Sequence, residues 1–379
     1  MKYCKKCLQP DTRPDIFFNE EQICGACLYE ESKKNIDWQA REKEFQGIAD
    51  QAKSEAGKRG VAYDCVIGVS GGKDSTFQAL YAKEKLGLHP LLVNCMPNDI
   101  TEAGRHNIDN LSSHGFDILH VRPDPVVAKK LAKKGFYEYG HIEKAAEYCL
   151  WASAFRMAIQ FNVPLVIQGE NPALTVGISN KLKTDDDAFD VFNINTLAGG
   201  SVDIWLGEGI TEEMLYFYKA PSKEEYEAKN TRSVYLQYYV REWSQVGNAD
   251  FAIVHGLRGR DRENLHEIGR YRRHTALDSD IVIANQMLKY LKFGFGFATD
   301  EACYDIREGR ITREDAIWLV NEYDGKCGEK YIKYVCDYLG ITVEDFWTAA
   351  DRHVNKDLFR KDDVTGMWIP RFTVGQDFI

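Results

Sequence analysis

The apolar positions of the first sixty residues keep no steady period: residues 1–30 set paired cysteines among prolines and turn-forming residues, and Glu31 to Lys58 is charged and helix-favouring with few breakers. At Tyr63 the pattern changes. A short apolar run, Cys65-Val66-Ile67-Gly68-Val69, precedes an amphipathic stretch from Asp74 to Leu86 and a second apolar run, Leu91-Leu92-Val93, which predicts strand, helix, strand. The alternation continues with helical periodicity near Ala103 to His114, a strand over Asp117 to Val121, a long helix over Ile142 to Phe161 and a strand at Leu165-Val166-Ile167. Strands separated by helices predict the α/β class, with a doubly wound, mostly parallel sheet covered on both faces.

The stretch from Trp205 to Trp243 is rich in Tyr and Phe without a clear period and reads as an insertion or cap on the sheet. Helical character returns after Asp278, with Ile281 to Leu291 leading into Phe293-Gly294-Phe295-Gly296-Phe297. Thr312-Arg313-Glu314-Asp315 and Thr342-Val343-Glu344-Asp345 have the Ser/Thr-x-x-Asp/Glu form that opens helices. The expected organisation is a small N-terminal unit at 1–30, a helical linker at 31–60, an α/β domain at 61–205, an insertion or cap at 206–277 and a mainly helical region at 278–379.

Charge and composition narrow the function classes. A formal charge of −10 disfavours an extended nucleic-acid surface, which needs Lys and Arg to displace phosphate counterions. No run of eighteen apolar residues occurs, and the first twenty residues lack the apolar block of a secretory signal, so the chain reads as cytoplasmic with no membrane partner.

Four of the ten cysteines form two pairs, Cys4-x-x-Cys7 and Cys24-x-x-Cys27, sixteen residues apart. Each turn aims two thiolates at one point, and two such turns make a tetrahedral sulfur cage for Zn²⁺. Four protein ligands leave no open position, which predicts a structural ion. Two disulfides or a redox-active pair are the alternatives.

The first strand runs directly into Ser70-Gly71-Gly72-Lys73-Asp74-Ser75 and then a helix. Two glycines allow backbone to approach phosphate oxygens, the amides at the helix start face an anion, and Ser70, Lys73 and Ser75 add donors and positive charge. The spacing is not that of a Walker loop. Ser-Gly-Gly-Lys-Asp-Ser after a strand resembles the PP-loop of ATP pyrophosphatases, which cleave ATP between the α and β phosphates. That resemblance implies an adenine nucleotide alpha hydrolase-like fold, pyrophosphate bound by residues 70–75, AMP transferred to the substrate and Mg²⁺ bridging the phosphates, with Asp74 organising metal or phosphate. Gln168-Gly169-Glu170-Asn171 ends a strand at the carboxyl edge of the sheet, where Glu170 is a candidate for Mg²⁺ or substrate and Gly169 for the nucleotide. Asn94 ends the second strand, where the family recognises adenosine through backbone atoms.

Arg258, Arg260, Arg262, Arg270, Arg272 and Arg273 form a basic cluster that reads either as a clamp for carboxylate or diphosphate or as a solvated charged face. Tyr235, Tyr238, Tyr239 and Trp243 read as core or interface ahead of a stacking platform. His106, His114, His120, His255 and His266 show no metal spacing.

Taken with the cysteine pairs and the loop, the block Leu291-Lys292-Phe293-Gly294-Phe295-Gly296-Phe297-Ala298-Thr299-Asp300, followed by Ile306-Arg307-Glu308-Gly309-Arg310, resembles the N-acetyl sugar amidotransferases of bacterial surface-polysaccharide synthesis. The resemblance spans nearly the whole chain. It implies conversion of an acetamido group on an acidic or nucleotide-linked sugar to acetamidino: AMP is placed on the amide oxygen and ammonia displaces it. It further implies catalytic roles for Lys73, Asp74 and Glu170 and sugar contacts from Asn171, Lys292, Gly294, Gly296, Thr299 and Asp300. No cysteine sits in a glutaminase elbow. The resemblance therefore implies ammonia from a separate glutaminase paired with a barrel protein, both resembling histidine-biosynthesis enzymes. Two readings compete: a tRNA thiolase using the same adenylation, for which Cys149 speaks, and a nucleotide-binding scaffold subunit without turnover.

Overall fold

The computed structural model describes residues 1–178, 183–193 and 201–378. Five parallel strands form the central sheet: β1 (Cys65–Gly68), β2 (Pro90–Cys95), β3 (Asp117–Val121), β4 (Leu165–Gln168) and β5 (Arg232–Tyr235), in the order β3-β2-β1-β4-β5. The two-residue period of a strand sends alternate side chains to opposite faces. Cys65 and Ile67 accordingly join one apolar layer with Phe45 and Ile48 of the helix Trp38–Arg59 and Ala79 and Leu80 of the helix Lys73–Glu84. Val66 joins the other, with Leu131 of Pro125–Tyr139 and Phe155 of Lys144–Gln160. After β3 the chain crosses β1 and β2 to add β4 on the far side, so β1 borders the topological switch point, where open α/β sheets bind ligands.

The stretch from Trp205 to Trp243 is not simply a cap, and here the sequence reading is corrected. Arg232–Tyr235 is the fifth strand of the sheet, in register with Leu165–Gln168, while Trp205, Tyr218 and Tyr226 fill the layer beneath it. Polar Arg232 and Ser233 at its start, with only four residues in all, left too little pattern to identify a strand.

The C-terminal helices form where they are expected. Thr312 and Thr342 accept hydrogen bonds from the Asp315 and Asp345 backbone amides at the starts of Arg313–Tyr323 and Val343–His353. Leu288, Val335 and Phe346 pack against Ala132, Phe136 and Ile142 of the sheet domain. A further apolar cluster joins Cys4, Cys7, Leu8 and Cys27 to Leu291, Cys303, Val320 and Phe359, so the N-terminal unit rests on the C-terminal region, 300 residues away in sequence. No helix among the described residues is long and apolar enough to cross a membrane.

Candidate active site

The four knuckle cysteines are buried and their Sγ atoms all lie within 4.8 Å of one another. A tetrahedral ion with Zn–S of about 2.3 Å sets its sulfurs about 3.8 Å apart. Cys4 and Cys27 are separated by 3.8 Å and Cys7 and Cys24 by 3.7 Å. The backbone amides of Cys24 and Gln9 donate to the Cys4 and Cys7 sulfurs at 3.3 and 3.4 Å, as they do toward thiolates. This donor set fits Zn²⁺, and the structure brings together all four residues named from the sequence.

At the end of β1 the Val69 amide still donates to Val93 O, at 2.9 Å, before the chain turns into the phosphate loop. Gly71 holds φ at +77°, and a Cβ there would meet the Ile108 amide at 3.0 Å, so both backbone sign and space call for glycine. Gly72 caps the helix Lys73–Glu84, Ser70 Oγ accepts from its amide at 3.3 Å, and Ser75 Oγ donates back to Gly72 O at 3.1 Å. Lys73 is buried and pairs with Asp74, whose other oxygen accepts from Asn248 Nδ2 at 2.9 Å. Asn94 is a brace beneath the loop: Nδ2 donates to Val69 O at 2.8 Å, and Oδ1 lies 3.1 Å from His120 Nδ1.

Glu170 follows β4 across the switch point. Burial, and then the negative charge of Asp74, push its carboxyl up to about 7, with Lys73 opposing. Asp74 and Glu170 line the same cavity, a pair of carboxylates suited to a divalent cation, which would favour the charged form of Glu170. Gly169 sits tightly, its absent Cβ 3.2 Å from Gln78 Oε1 and from the Trp243 ring, and its carbonyl accepts from the Gln237 amide at 2.9 Å.

The loop opens on a run of three adjoining cavities. One of about 140 Å³ lies directly over it, between Ser70, Gly72, Lys73 and the segment His274 to Asp278. A second, of about 380 Å³, shares Ser70, Ala276 and Asp278 with it and extends past Cys95 and Met96 at the end of β2. A third, of about 250 Å³, shares Lys73, Asp74 and Thr275 and is walled by Glu170, Asp300 and Arg307, with Gln9 and Arg13 of the knuckle. Burial and the nearby Arg272 and Lys73 lower His274 to about 4, so at neutral pH it faces the loop as a neutral imidazole.

The other residues named from the sequence separate into two groups. Asp300 reaches the third cavity, where Arg13 and Lys289 hold its carboxyl below the usual range against the effect of burial. Asn171 does not: it is fully buried, accepting from the Ala173 amide at 2.9 Å and donating to Lys183 O and Asp185 O at 3.0 Å each. Lys292 donates to Tyr139 O at 2.6 Å, away from the loop. Gly294 ends the helix Ile281–Phe293 with φ +77°, packed against Met1, Leu358 and Phe372. Gly296 and Thr299 serve Asp324: its Oδ2 accepts from the Gly296 amide at 2.8 Å and from Thr299 Oγ1 at 2.6 Å, and a Cβ on residue 296 would stand 2.6 Å from Oδ1.

The arginine cluster divides: Arg258 and Arg262 are exposed, while the other four are held by contacts within the protein. Arg260 is buried on Asp280 at 2.7 Å, Arg272 pairs with Asp305, Arg270 lies over the Phe297 ring, and Arg273 donates to Arg260 O and Glu263 O. These contacts fix the segment that covers the phosphate loop. Sequence reasoning missed Asn248, His274, Arg13 and Asp324, each of which reaches its place only through tertiary packing. Cys149, isolated in sequence, lies against Cys95.

A parallel sheet with the Ser-Gly-Gly-Lys-Asp-Ser loop at its switch point is the α/β arrangement expected from the resemblance of that loop to a PP-loop. Residues 268–372 match the family described as LPS biosynthesis protein WbpG-like, C-terminal domain, a match that includes the whole glycine-spaced block and Asp324. The match relates the C-terminal region to that LPS-biosynthesis family and leaves the phosphate loop outside it. The uncharacterised protein MJ1599 of Methanocaldococcus jannaschii is 30% identical over 112 residues, 29% of this chain and 39% of that protein, so the match spans about two fifths of the relative's length. NMN synthetase from Francisella tularensis superposes with a TM-score of 0.29 at 16% identity, over 52% of this chain and 93% of that one, a likeness too low to bear on function.

Proposed function

We propose that the protein is an ATP-dependent, AMP-forming amidotransferase that converts a sugar acetamido group to acetamidino, with ammonia supplied by a separate glutaminase and its barrel partner. The observation that carries this reading is the continuity of the cavities: the phosphate loop opens on one side toward the end of β2 and on the other into a chamber walled by the C-terminal region that matches the LPS-biosynthesis family.

An amide carbonyl is a poor electrophile, and adenylating its oxygen makes that oxygen a leaving group. The amides at the start of Lys73–Glu84, with Lys73 and Ser75, would stabilise the charge that develops on departing pyrophosphate. Asp74 and Glu170 would hold Mg²⁺, which neutralises phosphate charge when bound. Arg13, Arg272 and Arg307 line the third cavity beside Asp74, Glu170, Asp300 and Glu301, a mixed wall whose arginines would meet the carboxylate of an acidic sugar. The knuckle contributes Gln9 and Arg13 to that wall, so Cys4, Cys7, Cys24 and Cys27, holding zinc, would position those two residues.

The test is product analysis with ATP, Mg²⁺, ammonium and a panel of acetamido sugars. A sugar product lighter by the difference between O and NH supports the amidotransferase and identifies the substrate. Turnover of ATP with no amidine from any sugar contradicts it.

A further inference from the structure

The reaction above uses none of the six cysteines outside the knuckle, and two of them lie together. Cys95 ends β2, Cys149 lies in the helix Lys144–Gln160, and their Sγ atoms are 3.2 Å apart. Ser153 Oγ lies 3.5 Å from the Cys149 sulfur and donates to Cys149 O at 2.6 Å, which fixes the hydroxyl beside the pair. Both thiols line the 380 Å³ cavity, on the wall shared with Ser70 and Met96. Cys95 is partly exposed while Cys149 is 1% exposed, so the pair is reached through the cavity. Neither belongs to the knuckle, and Cys65 by contrast is sealed within the sheet.

We propose that Cys95 and Cys149 are a modification site, a dithiol that hydrogen peroxide converts to a reversible disulfide in the wall of the nucleotide cavity. The placement beside nucleotide rests on the function proposed above; the thiol chemistry does not. The hydrogen bond from the Cys95 thiol holds Cys149 below the usual thiol range despite its burial, which makes Cys149 the first nucleophile. Its sulfur attacks one peroxide oxygen, the O–O bond breaks, and hydroxide leaves as water with the proton shed by the thiol, giving a sulfenic acid. The Cys95 sulfur then attacks the Cys149 sulfur. An S–S bond forms, the S–O bond breaks, and the sulfenic oxygen leaves as a second water with the Cys95 proton. Two thiols lose two electrons and one peroxide gains them.

The experiment treats the zinc-loaded full chain with peroxide, blocks remaining thiols, and maps the peptides by mass spectrometry with and without ATP. A 95–149 cross-link that thiol reductant reverses is expected, and in Cys95→Ser peroxide is expected to carry Cys149 past the sulfenic stage without a cross-link. With ATP at about a hundred times its Kd the unliganded fraction falls to ~1%, so cross-linking slows by tenfold or more. Cross-linking that ATP does not slow leaves the dithiol standing and removes the nucleotide from this cavity. Persistence of both free thiols, or oxidation of Cys149 in the wild-type chain without joining Cys95, overturns the proposal.

Discussion

Asp74 and Glu170, 96 positions apart in sequence, line one cavity, and the charge of the first helps hold the carboxyl of the second at about 7. Glu170 therefore takes up protons on folding between its ordinary 4.5 and about 7. The stabilisation it lends is complete below the lower value and is lost as pH rises through the upper one. The thermal midpoint of the metal-free-solvent protein is expected to fall across that window, and Glu170→Gln to flatten the fall. Mg²⁺ added at pH 7 is expected to raise the midpoint and release protons, measurable in weakly buffered solution. An unchanged slope in Glu170→Gln would show that other groups set it.

Lys73→Ala removes the cation at the mouth of the phosphate loop while leaving a helix that Gly72 already caps. A loss of about 10²–10³ in kcat is expected, with circular dichroism unchanged. Asn171→Ala is expected to behave oppositely. It strips three backbone partners from a fully buried side chain. Stability should fall by about 1–3 kcal/mol in urea titrations while the folded fraction keeps its turnover.

Asp324 gathers the amides of Gly296 and Ala298 and the Thr299 hydroxyl onto one buried carboxylate. Asp324→Ala leaves those donors unpaired and is expected to cost about 3 kcal/mol or more, far beyond the effect of an exposed carboxylate such as Asp363. Chemical denaturation measures the difference.

Removing the knuckle's metal has a reach beyond residues 1–30. Cys7 lies 4.0 Å from Arg307 Nη1, and Leu8 shares a core with Phe359, so Cys24→Ala or strong chelation is expected to release one zinc per chain and loosen the wall that carries Arg13. Metal analysis alongside amide hydrogen exchange over residues 291–310 follows both effects. Zinc loss with no change in exchange there would confine the knuckle's role to its own segment.

The sheet, the loop and the knuckle were legible in the sequence because each is local: a run such as Cys65 to Val69 followed by two glycines, or two Cys-x-x-Cys turns, contains its own geometry. What the glycine-spaced block does was not. Gly296 and Thr299 look like ligand contacts in sequence, yet their partner is Asp324, on a different helix end, and Asn171 spends its side chain on backbone carbonyls. Arg232–Tyr235 was hidden for the opposite reason, since a short strand beginning with Arg and Ser carries almost no hydrophobic period of its own and is set by pairing with β4.

The most direct test is phosphorus NMR of ATP turned over by the purified protein with Mg²⁺, ammonium and an acidic acetamido sugar. AMP and pyrophosphate appearing in equal amounts are the expected result, since the loop from Ser70 to Ser75 is read as holding pyrophosphate. ADP and inorganic phosphate in their place would contradict cleavage between the α and β phosphates and, with it, adenylation as the route to the amidine.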